Sequence, residues 1–251
     1  MELKGRTIII TGASSGIGET AAVLFAAQGA NLVLGARRQV LLERLAGKID
    51  DHNGRAVFLA GDVRQEAYAV DLVKLAKAES GGLDGAFNNV GIMGDTGPVP
   101  DMETANWDAV IATNLTSAFF AAKHQIPALK QRSNGSIVFT SSFVGYSNAG
   151  MPGMGAYAAS KAGLIGLAQS LAAEHGPDGI RVNTLLPGGT RTDMAGNDPE
   201  IHEYIAGLHP LRRMADPQEI AQAALFLLSD RASFVTGSAM VADGGVSIRL
   251  G

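Results

Sequence analysis

Short apolar runs alternate along the chain with longer segments of helical period. Each run is bounded by Gly, Asn or Asp, which is typical of buried strands. The predicted strands span 6–11, 30–36, 56–61, 83–89, 135–141 and 180–186. Helical periodicity fills 18–28, 66–78, 107–126 and 156–176, and a helix at 217–228 and a short strand near 238–245 follow.

This alternation of strand and helix predicts the fold class. βαβ units with right-handed crossovers build a twisted parallel sheet with helices on both faces. We therefore predict an α/β fold of the Rossmann type, with a doubly wound, seven-stranded sheet, and we expect residues 1–251 to form one domain. Its ligand should bind beyond the carboxyl ends of the strands. The segment 188–215 is rich in Gly, Asp and Pro, and its length predicts a substrate lid.

Composition narrows the function classes. The 20 Lys and Arg residues are scattered and the net charge is −4, so we expect no nucleic-acid partner. The absence of cysteine excludes disulfides and a catalytic thiol and favours a cytoplasmic location. The five histidines lack ligand spacing, so we predict no metal site and expect surface or loop positions for them. We find no pattern of a signal peptide or a membrane span.

The segment TGASSGIG (11–18) joins the first strand to the first helix. Its glycines allow a tight turn and a close approach of backbone to a diphosphate, which the amides of the helix N-terminus then face. A glycine cluster between strand and helix also occurs as a simple tight turn, and this segment alone leaves both interpretations open. The predicted phosphate cradle consists of Gly12, Ser14, Ser15, Gly16, Ile17 and Gly18.

The end of the second strand bears on the choice of nucleotide. NAD sites usually present an acidic residue there, whereas an added 2′-phosphate requires cations. Arg37 and Arg38 stand at this point, and a guanidinium suits phosphate. The pattern favours NADP(H) over NAD(H). The alternative is a pair of solvated arginines that open a helix.

Tyr157 and Lys161 are candidates for proton transfer. They stand four residues apart in YAASK at the start of a helical segment, so both side chains project from one face. We expect the ammonium to lower the pKa of the phenol from about 10 towards neutrality, which makes it a usable acid and base. The spacing alone is a weak signal because Tyr and Lys meet by chance on many helices.

The ordered motifs resemble the short-chain dehydrogenase/reductase family along essentially the whole chain. They are TGASSGIG (11–18), GDV (61–63), NNVG (88–91), TNLTSAFF (113–120), TSS (140–142), YAASK (157–161) and PGGTRTDM (187–194). The resemblance implies that Asp62 contacts adenine and that Lys161 also binds the nicotinamide ribose. It further implies cofactor contacts for Val63, Asn89, Gly91, Tyr157, Pro187, Gly188, Thr190 and Thr192, with Thr190 contacting the carboxamide through its backbone.

By the same resemblance, the catalytic residues are Asn114, Ser142, Tyr157 and Lys161. Ser142 hydrogen-bonds the substrate oxygen, and Asn114 holds a water in a proton relay. Considered from the residues alone, Ser142 could instead cap the next turn, and Asn114 could bond to a neighbouring carbonyl. Val90 and Thr190 depart from the usual family residues. Ser15 stands where many NADPH-using members carry a basic residue, so selectivity would rest on Arg37 and Arg38.

The resemblance implies an NADP(H)-dependent oxidoreductase that interconverts a ketone or aldehyde and an alcohol on a small or medium apolar substrate. It also implies a homotetramer. Two alternatives stay open, a 3-oxoacyl-[acyl-carrier-protein] reductase and a non-catalytic NADPH-sensing protein. Four methionines could form an adaptable wall at the substrate mouth or fill ordinary loop packing, namely Met93, Met151, Met154 and Met194.

Overall fold

The computed structural model describes residues 1–52, 54–132, 134–147 and 151–249. Seven strands form one parallel sheet with the order β3-β2-β1-β4-β5-β6-β7, which confirms the predicted fold class. The strands are β1 (Thr7–Thr11), β2 (Asn31–Ala36), β3 (Arg55–Ala60), β4 (Gly85–Asn88), β5 (Ser136–Thr140), β6 (Arg181–Pro187) and β7 (Ala239–Ala242).

Eight α-helices connect and cover the strands in the described ranges. They are α1 (Gly16–Ala27), α2 (Gln39–Asp50), α3 (Glu66–Ser80), α4 (Thr104–Ile111), α5 (Ser117–Leu129), α6 (Gly155–His175), α7 (Pro199–Leu208) and α8 (Pro217–Leu228). A π-helical turn (Ala112–Thr116) joins α4 to α5. Among the described residues, no helix combines the length and the apolar character that a membrane crossing requires.

The apolar runs are continuous because the sheet is buried on both faces. In β1, Ile8 and Ile10 belong to the core shared with α1, α2 and α8. Ile9, between them, belongs to the core shared with α3, α5 and α6. Successive side chains of a strand point to opposite faces, so one run supplies both layers.

The strand order places the ligand site. The chain winds outward from β1 through β2 to β3, then returns to β4 on the other side of β1. At this reversal the loops leaving β1 and β4 diverge, and their separation opens a crevice at the carboxyl edge of the sheet. The glycine loop after β1 and the NNVG segment after β4 both lie there.

The structure differs from the sequence prediction in three helices. α2 was not among the predicted helices, and α7 lies inside the predicted loop 188–215. Both carry apolar residues at the spacing of an amphipathic helix, which the prediction passed over. The segment 107–126, predicted as one helix, is divided by the π-helical turn.

The prediction of surface or loop positions is wrong for His175, which ends α6 and is only 8% exposed. His209 lies in the loop after α7, as predicted, but is buried at 3% exposed. His175 is bonded to Asp178 at 3.1 Å. His209 is bonded to two backbone groups described below. A buried histidine needs such partners, which a search for metal spacing does not detect.

Candidate active site

A cleft of about 450 Å³ lies along the carboxyl edge of the sheet. All the predicted cofactor and catalytic residues line it except Gly18 and Asn114. Gly18 lies behind the glycine loop, and Asn114 lines a small neighbouring cavity under the cleft floor. The fold therefore brings motifs from opposite ends of the chain to one site.

The glycine loop forms a cradle for an anion. Gly12 and Gly16 have φ of +70° and +57°, a region that side chains other than glycine rarely adopt. A Cβ on Gly18 would lie 2.1 Å from the Gly12 carbonyl oxygen, so only glycine allows this turn. Ser15, the N-cap residue of α1, makes no side-chain cap. The first amides of α1 are therefore available to a phosphate.

Guanidinium groups surround the end of the cleft next to β2 and β3. Arg38 donates to the Ser14 and Ser15 hydroxyl oxygens at 3.0 and 2.7 Å, which ties the end of β2 to the glycine loop. Arg64, which the sequence analysis missed, pairs with Asp62 at 2.6 Å, and these hydrogen bonds lower the pKa of that carboxyl. Its position two residues after Asp62 is the signal that could have indicated it. Arg37 lines the same end and is exposed.

The predicted pair on α6 meets at the middle of the cleft. The Lys161 Nζ lies 5.6 Å from the centre of the Tyr157 ring and donates to the Thr140 carbonyl oxygen at 2.7 Å. A Cβ on Gly91 would lie 3.0 Å from this nitrogen, so glycine in NNVG makes room for the lysine. The Ser141 hydroxyl donates to the Lys161 carbonyl oxygen at 2.7 Å and fastens α6 to the end of β5.

The expected direction of the tyrosine pKa is wrong for this structure. Burial raises the pKa of Tyr157 above its ordinary value, and a hydrogen bond from the Ser142 side chain only partly opposes this. Burial also lowers the pKa of Lys161 to about 8. Desolvation disfavours the charged form of both groups. The phenol therefore keeps its proton at neutral pH.

Ser142 caps a turn and also lines the cleft. Its Oγ accepts a hydrogen bond from the Val144 amide at 3.3 Å and so caps the turn after β5. The same hydroxyl lines the cleft beside Tyr157. An acceptor role in the cap leaves the hydroxyl proton free to be donated elsewhere.

The Asn114 side chain is fully engaged with protein groups. It accepts from the Ile92 amide at 2.8 Å and donates to the Ile92 carbonyl oxygen and the Ser160 hydroxyl oxygen, both at 2.9 Å. It thereby holds the loop after β4 against α6. Asn114 also lies in the π-helical turn, where the Ser117 amide bonds to Ala112 five residues earlier. Such turns disturb the regular pairing of carbonyl groups and are frequent at functional sites.

The far end of the cleft is apolar. The four methionines singled out in the sequence line it together. Phe143, Val144 and Ile205 complete this wall and were not predicted. Ile205 belongs to α7, so it could not be assigned to the cleft before that helix was known.

The chain is similar to known proteins over nearly its whole length. A family model described as Enoyl-(Acyl carrier protein) reductase matches residues 12–247. The chain is 40% identical over 249 residues to a 2,5-dichloro-2,5-cyclohexadiene-1,4-diol dehydrogenase of Sphingobium indicum, with 97% of this chain and 98% of the relative covered. It is 41% identical over 254 residues to an A-factor type gamma-butyrolactone 1'-reductase (1S-forming) of Streptomyces virginiae, with 98% and 97% covered.

A solved structure gives the same result for the fold. The crystal structure of levodione reductase superposes with a TM-score of 0.94 at 31% identity, covering 99% of this chain and 100% of that chain. The match therefore extends over the glycine loop, the tyrosine and lysine of α6, and the PGGTRTDM segment. The chain belongs to the short-chain dehydrogenase/reductase family, whose members are oxidoreductases that act on alcohol and carbonyl groups with a nicotinamide cofactor.

Proposed function

We propose that the protein is an NADP(H)-dependent oxidoreductase that interconverts a ketone or aldehyde and an alcohol. The observation that carries the proposal is a single cleft in which Ser142, Tyr157 and Lys161 lie beside the glycine cradle. The amides at the N-terminus of α1 and the absence of a Cβ at Gly18 fit a dinucleotide diphosphate. When bound, the nicotinamide supplies or accepts the hydride.

The protein groups supply binding and the proton. In the reductive direction, Ser142 donates a hydrogen bond to the substrate oxygen and Tyr157 transfers its phenolic proton to that oxygen. One hydride and one proton together convert the carbonyl to the alcohol. Because its pKa is raised, Tyr157 holds this proton at neutral pH, and the developing alkoxide is a strong enough base to take it. Lys161, whose Nζ donates a hydrogen bond to the Thr140 carbonyl oxygen, orients the groups of the site.

The preference for NADP(H) is supported by charge. Arg37, Arg38 and Arg64 line the end of the cleft that follows β2 and β3. Arg64 is paired with Asp62 and Arg38 is bonded to Ser14 and Ser15, whereas Arg37 makes no hydrogen bond or ion pair among the described residues. A phosphate gains charge-assisted hydrogen bonds from such a group, whereas a bare ribose hydroxyl gains less.

The apolar wall supports a small or medium uncharged substrate. Among the described residues that line the cleft, the arginines follow β2 and β3, whereas the loops after β4, β5 and β6 and helix α7 contribute the methionines, Phe143, Val144 and Ile205, with Asp193 as their one charged side chain. The names of two relatives contain a cyclohexadienediol and a γ-butyrolactone, both of them ring compounds. We therefore propose ring ketones and secondary ring alcohols as the first substrates to test.

The segment 188–215 and the assembly complete the proposal. Met194 and Ile205 line the cleft from this segment, which supports its role as a substrate lid. A homotetramer is supported by apolar side chains that a monomer leaves uncovered, such as Phe119 on α5 at 49% exposed and Ile248 at 78%. We propose a cytoplasmic location because the chain contains no cysteine.

A carbonyl panel with both cofactors tests the proposed function. We expect kcat/KM to be greater with NADPH than with NADH, and greater for neutral ring ketones than for a 3-oxoacyl thioester. Fastest turnover of the thioester would replace the proposal by an acyl-carrier-protein reductase. NADPH binding without turnover of any carbonyl or alcohol would support the non-catalytic alternative, and a clear preference for NADH would remove the role given to Arg37.

Substitution of Arg37 tests the preference for NADPH over NADH by itself. Arg37→Gln should lower kcat/KM for NADPH about 10- to 100-fold while leaving NADH within about threefold, because one charged hydrogen bond contributes roughly 1.5–3 kcal/mol. Arg44→Gln makes the same change of charge on exposed α2, outside the cleft lining. This control should leave the NADPH to NADH ratio unchanged. Equal ratios in both variants would contradict a 2′-phosphate contact at Arg37.

The pKa of Lys161 predicts a limit on the alkaline side. Because burial lowers it to about 8, the ammonium is present at neutral pH and is lost as the pH rises past that value. We expect kcat/KM for NADPH, which reports the free enzyme, to fall about tenfold per pH unit above it. Lys161→Arg keeps its charge, so its residual activity should lack this decline. A wild-type profile that stays flat from pH ~7 to ~10 would contradict the prediction.

A further inference from the structure

His209 is a buried side chain that the proposed reaction does not use. Its Nδ1 lies 2.7 Å from the Ile205 carbonyl oxygen, and its Nε2 lies 3.0 Å from the Gly189 backbone nitrogen. The carbonyl can only accept and the amide can only donate. The ring is therefore neutral, with its proton on Nδ1 and the acceptor lone pair of Nε2 directed at Gly189.

The bond to Gly189 fixes one side of a short backbone bridge. The Ala215 amide donates to the Gly189 carbonyl oxygen at 2.8 Å, and the Arg191 amide donates to the Ala215 carbonyl oxygen at 3.0 Å. Thr190 stands between these two bonds and forms an isolated parallel bridge with Ala215. Gly189 thus has both backbone groups satisfied, its N–H by the imidazole and its C=O by Ala215.

Thr190 itself is left with two open backbone groups. Among the described residues, neither its N–H nor its C=O has a backbone or side-chain partner. Thr190 is only 8% exposed and lines the cleft. Buried backbone groups are nearly always paired, so this pair points to a ligand group that both accepts and donates. A primary carboxamide has that character.

The surroundings of His209 allow little adjustment. A Cβ on Gly188 would lie 2.8 Å from Nε2, and a Cβ on Gly189 would lie 2.9 Å from Cε1. Both glycines are needed for the ring to approach the loop this closely. The Ile205 carbonyl holds the other edge of the ring, and the Ile205 side chain lines the cleft. One imidazole therefore joins the loop after β6 to helix α7.

We propose that His209 is a positioning residue, which holds the Gly189 amide so that the backbone of Thr190 is presented to the carboxamide of the nicotinamide. The inference rests on the proposed dinucleotide site. It adds that the affinity for the nicotinamide half depends on a histidine that does not line the cleft. The adenine half, bound at the other end between the glycine loop and Arg37, should not depend on it.

Three variants and two ligands test this role by binding, without turnover. His209→Gln keeps an acceptor that can reach Gly189, His209→Asn can reach only Ile205, and His209→Leu removes both bonds. We expect the Kd for NADPH to rise about tenfold in the Asn and Leu variants and to stay within about threefold of wild type in the Gln variant. The Kd for adenosine 2′,5′-bisphosphate, which lacks the nicotinamide half, should be unchanged in all three.

His175→Leu is the matched control, since it removes a buried histidine at the opposite edge of the sheet. It should lower Tm without changing the Kd for NADPH. Unchanged NADPH binding in the Asn and Leu variants, or equal losses for both ligands, would overturn the proposal. If the Leu variant does not fold, the difference in the Kd for NADPH between the Gln and Asn variants decides whether the bond to Gly189 is needed. If wild type binds adenosine 2′,5′-bisphosphate no more tightly than 5′-AMP, the proposed preference for NADP(H) is wrong, but the role of His209 is not affected. The variants are then compared by their Kd values for NADH and for 5′-AMP.

Discussion

Tyr157→Phe should lower kcat about 10³-fold, the middle of the range for loss of a general acid. The substitution removes only the phenolic oxygen, whose proton is the one transferred to the substrate in the proposed reaction. The ring remains and continues to fill the cleft beside Lys161. Binding of NADPH should therefore stay within about threefold of wild type. Single-turnover rates with saturating NADPH would separate the chemical step from cofactor binding.

Tyr146→Phe provides the control for the loss of a phenol. This residue is close to the site in the chain, yet its side chain is exposed and does not line the cleft. We expect its kcat within about twofold of wild type. If Tyr157→Phe retained a comparable rate, proton transfer would have to come from another group, and the mechanism proposed for this cleft would be wrong.

The fold was predictable because its signals are repeated. Runs such as TIIIT in β1 are buried on both faces, and their alternation with helical segments leaves few topologies open. The two missed helices also carry an amphipathic spacing, with Leu42, Leu45, Ala46 and Ile49 in α2 and Ile201, Tyr204, Ile205 and Leu208 in α7. The prediction of a loop over 188–215 followed the Gly, Asp and Pro content of that segment and passed over this spacing. That α7 packs at the cleft with only partly buried side chains is a property of the tertiary structure, which the spacing does not predict.

The candidate site was predictable to the extent that its chemistry lies in contiguous motifs. Residues such as Tyr157 and Lys161 are separated by one helical turn, and their common direction follows from the spacing. Contacts between distant segments were not predictable. The pairing of His209 with Gly189 depends on where α7 ends, and the direction of the Tyr157 pKa depends on burial that only packing defines. The sequence therefore identified the chemical groups of the site, whereas their pKa values depend on the tertiary structure.

Gly18→Ala should weaken NADPH binding about 10- to 100-fold, the second large effect expected. The new Cβ would lie 2.1 Å from the Gly12 carbonyl oxygen and 2.9 Å from the Asn89 side-chain nitrogen. Because the nearest atom belongs to the backbone, the glycine loop must move rather than a side chain. Overpacking of this kind costs typically 1–3 kcal/mol, and the displaced loop no longer aims its amides at the phosphates. Fluorescence titration of NADPH measures the loss, and thermal unfolding shows whether the fold survives.

Gly47→Ala separates this steric effect from the general consequences of replacing a helical glycine. Gly47 lies within α2, and a Cβ there would meet nothing within 4 Å. The alanine should stabilise the helix by up to about 1 kcal/mol and leave the Kd for NADPH unchanged. Opposite outcomes for two identical substitutions would show that the cradle requires close backbone approach. If Gly18→Ala bound NADPH as tightly as Gly47→Ala does, the glycine loop would be an ordinary tight turn, and the diphosphate site would have to be sought elsewhere in the cleft.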